Sequence, residues 1–292
     1  MAGYLSSMAF IIRYAEIGLK GKNRNIFENK LIRNIKKQLP GSIIIKHFGR
    51  FYLYNNQSSE DQTIKKLKTV FGIASFSPAV ECEPDMQEIK EVVLKFVDDE
   101  TAKKMIKTFR ITVNRIEKKL KSSNELAREL GAFVVENTGL NVSLKEFDLN
   151  VGVEVSDKIY IYKERMEGLG GLPVGSEGRV FGLLEDKNSA TACFLAMKRG
   201  CEIMPVVFDE KGIKKMQIFV DNLQDFSPKK LHLECIDERN LKKQAEKNRI
   251  RAIIVNDQVD SIREDYNITT LRPLIGIAKN EIKEILELIE QN

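Results

Sequence analysis

The first forty residues begin with a short apolar run and continue with a helical pattern. Ala9 to Tyr14 has the composition of a strand. Beyond it, apolar residues recur at four-residue spacing, and basic residues occupy another face of the helical wheel. The apolar set is Phe27, Leu31, Ile35 and Leu39, and the basic set is Lys30, Arg33, Lys36 and Lys37. The pattern predicts an amphipathic helix with a basic outer face, ended by Pro40 and Gly41.

Two strands and a short helix are predicted next. Ile43 to Lys46 and Arg50 to Tyr54 flank a turn at Gly49 and are rich in β-branched and aromatic residues. Apolar residues three and four apart then predict a short helix that Gly72 ends, namely Ile64, Leu67 and Phe71. These elements together predict a small α+β unit.

A second α+β unit is predicted to end near Arg165. Asp85 with Glu88, and Ser122 with Glu125, have the spacing of capping boxes that open helices over Ile89 to Val97 and Leu126 to Val134. Strand composition, with partial alternation, is found in Phe109 to Val113, Val151 to Val155 and Lys158 to Tyr162.

Glycine and proline are concentrated between residues 168 and 178, where only an irregular connection is expected, so we place a domain boundary there. Strands and helices alternate beyond it, which predicts a doubly wound parallel sheet. The predicted strands are Arg179 to Leu184, Met204 to Phe208, Leu231 to Ile236 and Ala252 to Val255. The predicted helices are Ser189 to Lys198, Ile213 to Leu223, Leu241 to Asn248 and Asn280 to Ile289.

Composition narrows the class of protein. The 292 residues are 42% apolar and 30% charged, which excludes a wholly disordered chain. No apolar run approaches the length that spans a bilayer, and the N-terminus lacks the pattern of a signal peptide, so we expect a cytoplasmic protein that does not contact a membrane. The four cysteines contain no C-x-x-C pair, and we expect reduced thiols.

The basic charge is concentrated at the front of the chain. Residues 1 to 50 hold ten Lys and Arg against two acids, whereas residues 166 to 292 hold nineteen against twenty-one. A cationic front and a near-neutral rear suggest a polyanionic partner for the front half. An ordinary solvated surface is the alternative that charge alone leaves open.

Several segments resemble one family, the tRNA 4-thiouridine synthetases, also called tRNA sulfurtransferases and linked to thiamine biosynthesis. The N-terminal signature is Arg13 to Arg24. Further matches are Gly49 to Tyr52, Phe71 to Pro78, Arg115 to Leu120, Glu129 to Ala132, Gly168 to Gly175, Met197 to Gly200 and Leu271 to Ile275. The resemblance covers the chain from end to end.

The resemblance implies an α+β front and an α/β rear. Residues 1–60 would form a ferredoxin-like N-terminal domain and 61–167 a THUMP RNA-binding domain. Residues 168–178 would be a glycine-rich linker, and 179–292 a doubly wound parallel-sheet domain of the PP-loop, or adenine nucleotide alpha hydrolase-like, type.

For function, the resemblance implies that the first two domains bind tRNA near its acceptor end, and it suggests a homodimer. The PP-loop domain of the family uses ATP to adenylate a uridine carbonyl, and a cysteine persulfide supplies the sulfur. Lys and Arg are the residues that neutralise phosphates. The predicted RNA-binding residues are Arg13, Lys20, Lys22, Arg24, Arg50, Arg115, Lys118, Lys119, Lys121 and Arg128. A solvated charged surface is the alternative for each of them.

The chain departs from the family at the nucleotide loop. PP-loop enzymes carry S-G-G-x-D-S after the first strand, because pyrophosphate lies against bare backbone amides that glycines leave accessible. Here Leu183 and Leu184 lead into Glu185-Asp186-Lys187-Asn188-Ser189-Ala190, which contains no glycine. We expect Asp186 and Asn188 to act as helix caps. If ATP still binds, weakly, the candidate residues are Leu183, Leu184 and Ser189.

The residues expected for sulfur transfer are also absent. The glycine-led loop of the family is replaced by Asn256 to Ser261, and Cys235 lies in an apolar pattern that favours a buried, inert thiol over the alternative, a persulfide carrier. Cys193 and Cys201 are expected in the core. His47 and His232 are interpreted as isolated histidines, and no metal site or catalytic residue is predicted.

Three hypotheses follow. The first is a tRNA-binding member of the family in which the site for ATP and sulfur transfer is degraded. The second is an active ATP-dependent sulfurtransferase that makes 4-thiouridine with a divergent nucleotide loop. The third is a binding module for another structured RNA.

Overall fold

A computed structural model describes residues 8–55, 57–118 and 120–291. The chain divides into two compact units that do not follow its order. The first unit contains the described residues of Met1–Arg13, Ile43–Asn56 and Ser75–Met166. The second unit contains those of Tyr14–Ser42, Gln57–Ala74 and Glu167–Asn292.

The first unit is built on one mixed sheet. Its strands pair in the order β2-β3-β1-β4-β8-β7-β5-β6. They are β1 Met8–Arg13, β2 Ile43–His47, β3 Arg50–Tyr54, β4 Ser75–Cys82, β5 Thr108–Arg115, β6 Asn141–Val142, β7 Leu149–Val155 and β8 Ile159–Tyr162. Pairing is antiparallel around β1, with Phe10 opposite Leu53 on one side and Pro78 on the other. β5 and β7 are parallel and in register from Phe109 and Leu149 onward.

Two helices cover part of this sheet, α3 (Met86–Lys103) and α4 (Ser123–Thr138). The capping box of Ser122 and Glu125 is confirmed, because each side chain accepts the other residue's backbone N–H. Asp85 caps α3 through the amides of Gln87 and Glu88, but no capping box forms, because the Glu88 carboxylate accepts from the amide of Glu83 instead. The buried faces of both helices share one core with the strands; their buried apolar residues are Ile89, Val93, Val97, Leu126, Leu130 and Val134.

The second unit combines two helices from the front of the chain with the whole rear half. They are α1 (Arg24–Gln38) and α2 (Glu60–Lys68), and Ser59 opens α2 with a capping box. Phe71, just after α2, packs edge-on against Phe194 with ring centroids 5.0 Å apart and belongs to the core of this unit. The glycine-rich segment lies alongside: the amide of Gly72 donates to the carbonyl of Gly170 at 2.7 Å.

At one position of that segment, both the backbone conformation and a close backbone neighbour require glycine. Gly171 has a φ of +71°, and a Cβ there would lie 2.2 Å from the carbonyl oxygen of Lys198. A side chain at this position would therefore force the backbone apart. A two-residue strand, β9, spans Met166–Glu167 just before the segment.

A parallel sheet forms the rest of the second unit, in the order β12-β11-β10-β13-β14. Its strands are β10 Arg179–Leu183, β11 Glu202–Val207, β12 Glu234–Cys235, β13 Ile250–Ile254 and β14 Thr269–Leu271. Its helices are α5 Lys187–Lys198, α6 Glu210–Gln224, α7 Leu241–Asn248 and α8 Lys279–Glu290. The order reverses between β10 and β13, and in such sheets ligands bind at the carboxyl ends of the strands on either side of the reversal.

The predicted fold class, α+β followed by a doubly wound α/β sheet, is confirmed. Among the described residues, no helix is both long and apolar enough to cross a membrane. Some details differ from prediction. Four strands were not predicted: β4, which contains Pro78, and the short strands β6, β9 and β14. The strand predicted over Leu231 to Ile236 is reduced to Glu234–Cys235. This short strand pairs only along the carboxyl end of β11, with Val206 and Val207.

Candidate functional site

A buried carboxylate in the first unit fixes two of the predicted RNA-binding arginines. Glu154 on β7 is fully buried. It accepts hydrogen bonds from the guanidinium groups of Arg13 and Arg50 and, at 2.8 Å, from the hydroxyl of Tyr52. Burial outweighs the attraction of Glu154 and lowers the pKa of Arg13 from its ordinary value. The structure thus places Arg13 inside the first unit, joining β1 to β7.

The second predicted patch lies at the end of β5 and the start of α4. Arg115 is half-buried, whereas Lys118, Lys121 and Arg128 are exposed. Lys121 forms an ion pair with Glu129 at 2.6 Å, and this hydrogen bond raises the pKa of Lys121. Lys119 lies outside the described residues. Lys118 and Arg128 have no ion-pair partner among the residues that the structure describes, so both can meet a phosphate without first losing a carboxylate.

The other predicted basic cluster belongs to the second unit, in a 3₁₀ segment over Glu16–Asn23 that precedes α1. Gly21 has a φ of +51°, which favours glycine, and turns the chain between Lys20 and Lys22. Lys20 pairs with Glu177 at 3.1 Å and also lies over the ring of Phe27, 4.5 Å from its centroid. Lys22 is exposed, and Arg24 contacts Glu28 at 3.5 Å. Lys22 is therefore the cation of this cluster that is most accessible to a phosphate.

In the loop between β10 and α5, the amides of Glu185, Asp186 and Ser189 bond to side chains of the loop itself. The hydroxyl of Ser189 accepts from the amides of Glu185 and Asp186 at 3.1 and 3.2 Å. The Asp186 carboxylate in turn accepts from the amide of Ser189 at 3.0 Å, so the predicted cap at Asp186 is confirmed. Leu183, Leu184 and Ser189, the weak nucleotide candidates, are all buried.

An arginine joins this loop to the loop after β13. Arg263 holds both carboxylate oxygens of Glu185 at 2.8 Å and one oxygen of Asp257 at 2.6 Å. Asn256 donates to Asp186 at 2.8 Å, which ties the same two loops again. Because β10 and β13 are the strands on either side of the reversal, this network occupies the crevice where a ligand would be expected.

A second arginine completes the network. Arg272, just after β14, donates to the other oxygen of Asp257 at 2.9 Å and to Asp265 at 2.7 Å. Asp257 is only 2% exposed. Burial by itself would raise the pKa of Asp257, but the hydrogen bonds from Arg263 and Arg272 outweigh it, and the net pKa lies below its ordinary value. Asp257 is therefore an ionised anchor for two guanidinium groups. We call this set of residues the crevice network: Glu185, Asp186, Asn256, Asp257, Arg263, Asp265 and Arg272.

A basic cavity lies beside the start of α5. Its volume is about 380 Å³, and it is lined by Lys187, Asn188, Gln258, Lys279 and Lys283, with Ile282 and Leu286. Lys187 belongs to the first turn of α5 and Lys279 to that of α8, where the helix dipoles also favour anions.

Comparison with known proteins identifies the family. The model of the ThiI ferredoxin-like domain matches residues 9–77, and that of the THUMP domain matches residues 83–164. A probable tRNA sulfurtransferase of Methanocaldococcus jannaschii is 32% identical to this chain, over 98% of the chain and 88% of that relative. The chain belongs to the tRNA sulfurtransferase family.

Solved structures of similar proteins agree with this assignment. A crystal structure of PH1313 from Pyrococcus horikoshii Ot3 has a TM-score of 0.87 at 31% identity, and covers 97% of this chain and 99% of its own. A crystal structure of a 4-thiouridine synthetase–RNA complex with bound ATP has a TM-score of 0.84 at 29% identity, and covers 97% of this chain and 85% of its own. The resemblance read from the sequence motifs is confirmed.

The cysteines of this tRNA sulfurtransferase family member differ in accessibility. Cys82 and Cys193 are buried, and burial raises the pKa of each thiol to about 12. Cys201 is half-buried. Cys235 is exposed, so the prediction that it is a buried thiol is wrong. The apolar pattern misled because β12 is a two-residue strand at the edge of the sheet, and both of its residues are exposed.

His47 is also placed differently from prediction. It is not isolated: its Nε2 lies 3.6 Å from a carboxylate oxygen of Asp157, and its Nδ1 lies 3.4 Å from the hydroxyl of Ser156. Its neighbours are about 110 positions further along the sequence, and no local pattern reveals them. His232 is exposed.

Sequence reasoning missed the residues that fix these sites. Two of the pairs join residues far apart in sequence, Arg13 with Glu154 and Arg263 with Glu185, whereas Asp257 pairs with Arg263 and Arg272 within fifteen residues. Two signals were available: Asp257 lies two residues after the predicted strand Ala252 to Val255, and Arg272 lies in the family-like segment Leu271 to Ile275.

Proposed function

We propose that this protein binds tRNA near the acceptor end and that its β10–α5 site no longer supports ATP-driven sulfur transfer. The hydrogen bonds that the backbone amides of the β10–α5 loop already make support the second part of this proposal, the loss of ATP-driven sulfur transfer. The amides of Glu185, Asp186 and Ser189 are bonded to side chains of the same loop, whereas a pyrophosphate needs such amides to be bare.

Family membership and accessible cations support tRNA binding. The similar 4-thiouridine synthetase was crystallised with RNA, and the chain matches the THUMP model. Lys22, Lys118, Lys121 and Arg128 are the exposed residues among the predicted RNA-binding residues that the structure describes, and Lys121 is paired with Glu129. Cations of this kind neutralise phosphates and release counterions, which gives affinity without sequence specificity.

The crevice network argues against ATP. A triphosphate there would have to displace Arg263 from Glu185 and then lie beside the carboxylates of Glu185 and Asp186. Two like charges 4 Å apart repel by about 4 kcal/mol at an effective dielectric constant near 20. Even if Arg263 moved to the phosphate, Asp257 would lose a partner while buried. ATP does not fit the residues present in this crevice.

Two observations favour the second candidate, an active ATP-dependent sulfurtransferase with a divergent nucleotide loop. The lysine-lined cavity beside α5 would suit an anion, and the exposed thiol of Cys235 is accessible to a sulfur donor. Neither provides the amide cradle that the family motif supplies, so we favour the tRNA-binding function.

The test incubates purified protein with ATP, sulfide and unmodified tRNA, and measures 4-thiouridine in the digested tRNA. We expect tRNA to bind and no 4-thiouridine to form. Thionucleoside above the level of a protein-free control would refute the degraded site and support the active enzyme. The Cys235→Ser variant, assayed alongside with a low-molecular-weight persulfide in place of sulfide, would then show whether that thiol carries the sulfur, because a thiol accepts sulfur from a persulfide by exchange and releases the donor thiol.

A competition experiment tests the RNA partner. Acceptor-stem minihelices should displace labelled tRNA as well as full-length tRNA does, within a few fold. Displacement by unrelated structured RNA but not by minihelices would support a binding module for another RNA and refute the acceptor-end assignment.

A further inference from the structure

Three possible metal ligands meet at one edge of the first unit. They are His47 at the end of β2, Glu117 just after β5 and Asp157 in the turn between β7 and β8. One ligand atom from each residue lies within 4.8 Å of the other two. The residues come from three separate parts of the chain, so the cluster is a product of the tertiary fold.

The spacing of the first pair fits a small metal ion. His47 Nε2 and an Asp157 oxygen are 3.6 Å apart. Two ligands of a tetrahedral ion with bonds of about 2.1 Å stand about 3.4 Å apart. His47 and Asp157 therefore need almost no movement to share an ion, and a carboxylate oxygen of Glu117 lies within 4.8 Å of both ligand atoms.

The backbone and a neighbouring hydroxyl hold the ligands in place. The amides of Ile116 and Glu117 both donate to the carbonyl of Val155, at 2.8 and 3.3 Å, which fixes Glu117 beside the turn that carries Asp157. Ser156 is fully buried, and its hydroxyl lies 3.4 Å from His47 Nδ1. A metal-bound histidine characteristically donates its other N–H to such an acceptor, which orients the ring.

We propose that His47, Glu117 and Asp157 bind one divalent transition-metal ion, of which Zn²⁺ is the probe of choice. One imidazole and two carboxylates form a donor set that suits Zn²⁺, Co²⁺ or Mn²⁺, whereas Mg²⁺ and Ca²⁺ prefer oxygen ligands alone. Three protein ligands leave a fourth position for water or another oxygen donor. The ion joins the β2–β3 hairpin to the β7–β8 turn. The proposal does not depend on the function proposed above.

The test titrates Zn²⁺ into the full chain, freed of metal by chelation, in competition with a chromophoric chelator. We expect saturable binding of one Zn²⁺ per chain, weakened at least tenfold in His47→Gln and in Asp157→Asn. His232→Gln is the matched control, because it removes the chain's other, exposed histidine, and it should bind as the wild type does.

Circular dichroism of the variants and the absorption spectrum of the Co²⁺ complex complete the test. Asp157 is 63% exposed, so Asp157→Asn is expected to fold even if His47→Gln does not, and circular dichroism checks both variants. The Co²⁺ complex should show d–d absorption without a thiolate-to-metal band, since no cysteine belongs to the site. A wild-type chain without saturable binding, variants that bind as the wild type, or a thiolate band lost in Cys235→Ser would each overturn the proposal.

Discussion

Each unit of this protein contains a buried carboxylate that holds two arginines, and the two clusters differ in where they stand. Glu154 in the first unit binds Arg13 and Arg50 within the sheet. Asp257 in the second unit binds Arg263 and Arg272 at the carboxyl ends of parallel strands. The chemistry is the same, but only the second cluster occupies a crevice where ligands bind. The position of a buried ion pair, more than its composition, decides whether it stabilises a fold or fills a site.

The largest expected effect is on the first cluster. Glu154→Ala leaves two guanidinium groups inside the first unit without their carboxylate, and breaking a buried pair in this way costs about 3–5 kcal/mol. We expect the free energy of unfolding to fall by that amount in urea denaturation followed by circular dichroism. Glu136→Ala, which removes an exposed acid from α4, is the control and should change it by no more than about 0.5 kcal/mol. A loss below about 1 kcal/mol for Glu154→Ala would show that the cluster does not stabilise the unit.

The second cluster should show a smaller effect that depends on pH. The pKa of Asp257 is lower in the folded protein than in the unfolded chain, so its contribution is present above the unfolded pKa and is lost as pH falls through the folded one. Asp257→Asn should therefore lower the free energy of unfolding most at neutral pH. The difference from wild type should shrink as pH drops below about 4. A difference that is constant from neutral to acid pH would contradict an ionised Asp257.

Removing surface cations should weaken RNA binding, while the free energy of unfolding should fall by no more than about 1 kcal/mol, because an exposed ion pair such as Lys20–Glu177 contributes little. In Lys20→Ala/Lys22→Ala, the slope of log affinity against log salt concentration should fall by up to about two, because each phosphate contact contributes about 0.9. Lys22 should account for most of the change, since Lys20 is already paired with Glu177. Lys242→Ala/Lys243→Ala, two exposed lysines on α7, serves as the control. An unchanged slope in the first variant would remove the 3₁₀ segment from the RNA-binding surface.

We expect no effect on 4-thiouridine formation from restoring the nucleotide loop alone. Replacing the β10–α5 loop by S-G-G-x-D-S should not restore 4-thiouridine formation, because Asp257 and Arg263 still fill the crevice and the glycine-led loop of the family is absent after β13. Formation of 4-thiouridine by this variant but not by the wild type would contradict the proposal that Asp257 and Arg263 also exclude ATP from the crevice.

Local patterns predicted the elements well where neighbours in sequence decide the structure. The helix over Leu241 to Asn248, the capping box at Ser122 and the cap at Asp186 depend on residues within a turn of one another, and all three are confirmed. The alternation of strands and helices likewise predicted the parallel sheet.

Long-range pairing could not be predicted in the same way. Arg13 was interpreted as an RNA contact because its neighbours match the family signature, yet its carboxylate partner lies 141 residues away. The assignment of α1 and α2 to the same compact unit as the parallel sheet is invisible in the order of the chain. Cys235 shows an error of the local pattern itself. Its apolar neighbours in sequence predicted a buried thiol, whereas both residues of the two-residue strand β12 are exposed.

The most direct test of the proposal that the crevice network excludes ATP is a crystal soaked with ATP. The account predicts no ordered triphosphate beside Glu185, with Arg263 still bound to Glu185 and Asp257. A triphosphate bound to the amides of residues 185–189, with Arg263 displaced, would contradict it.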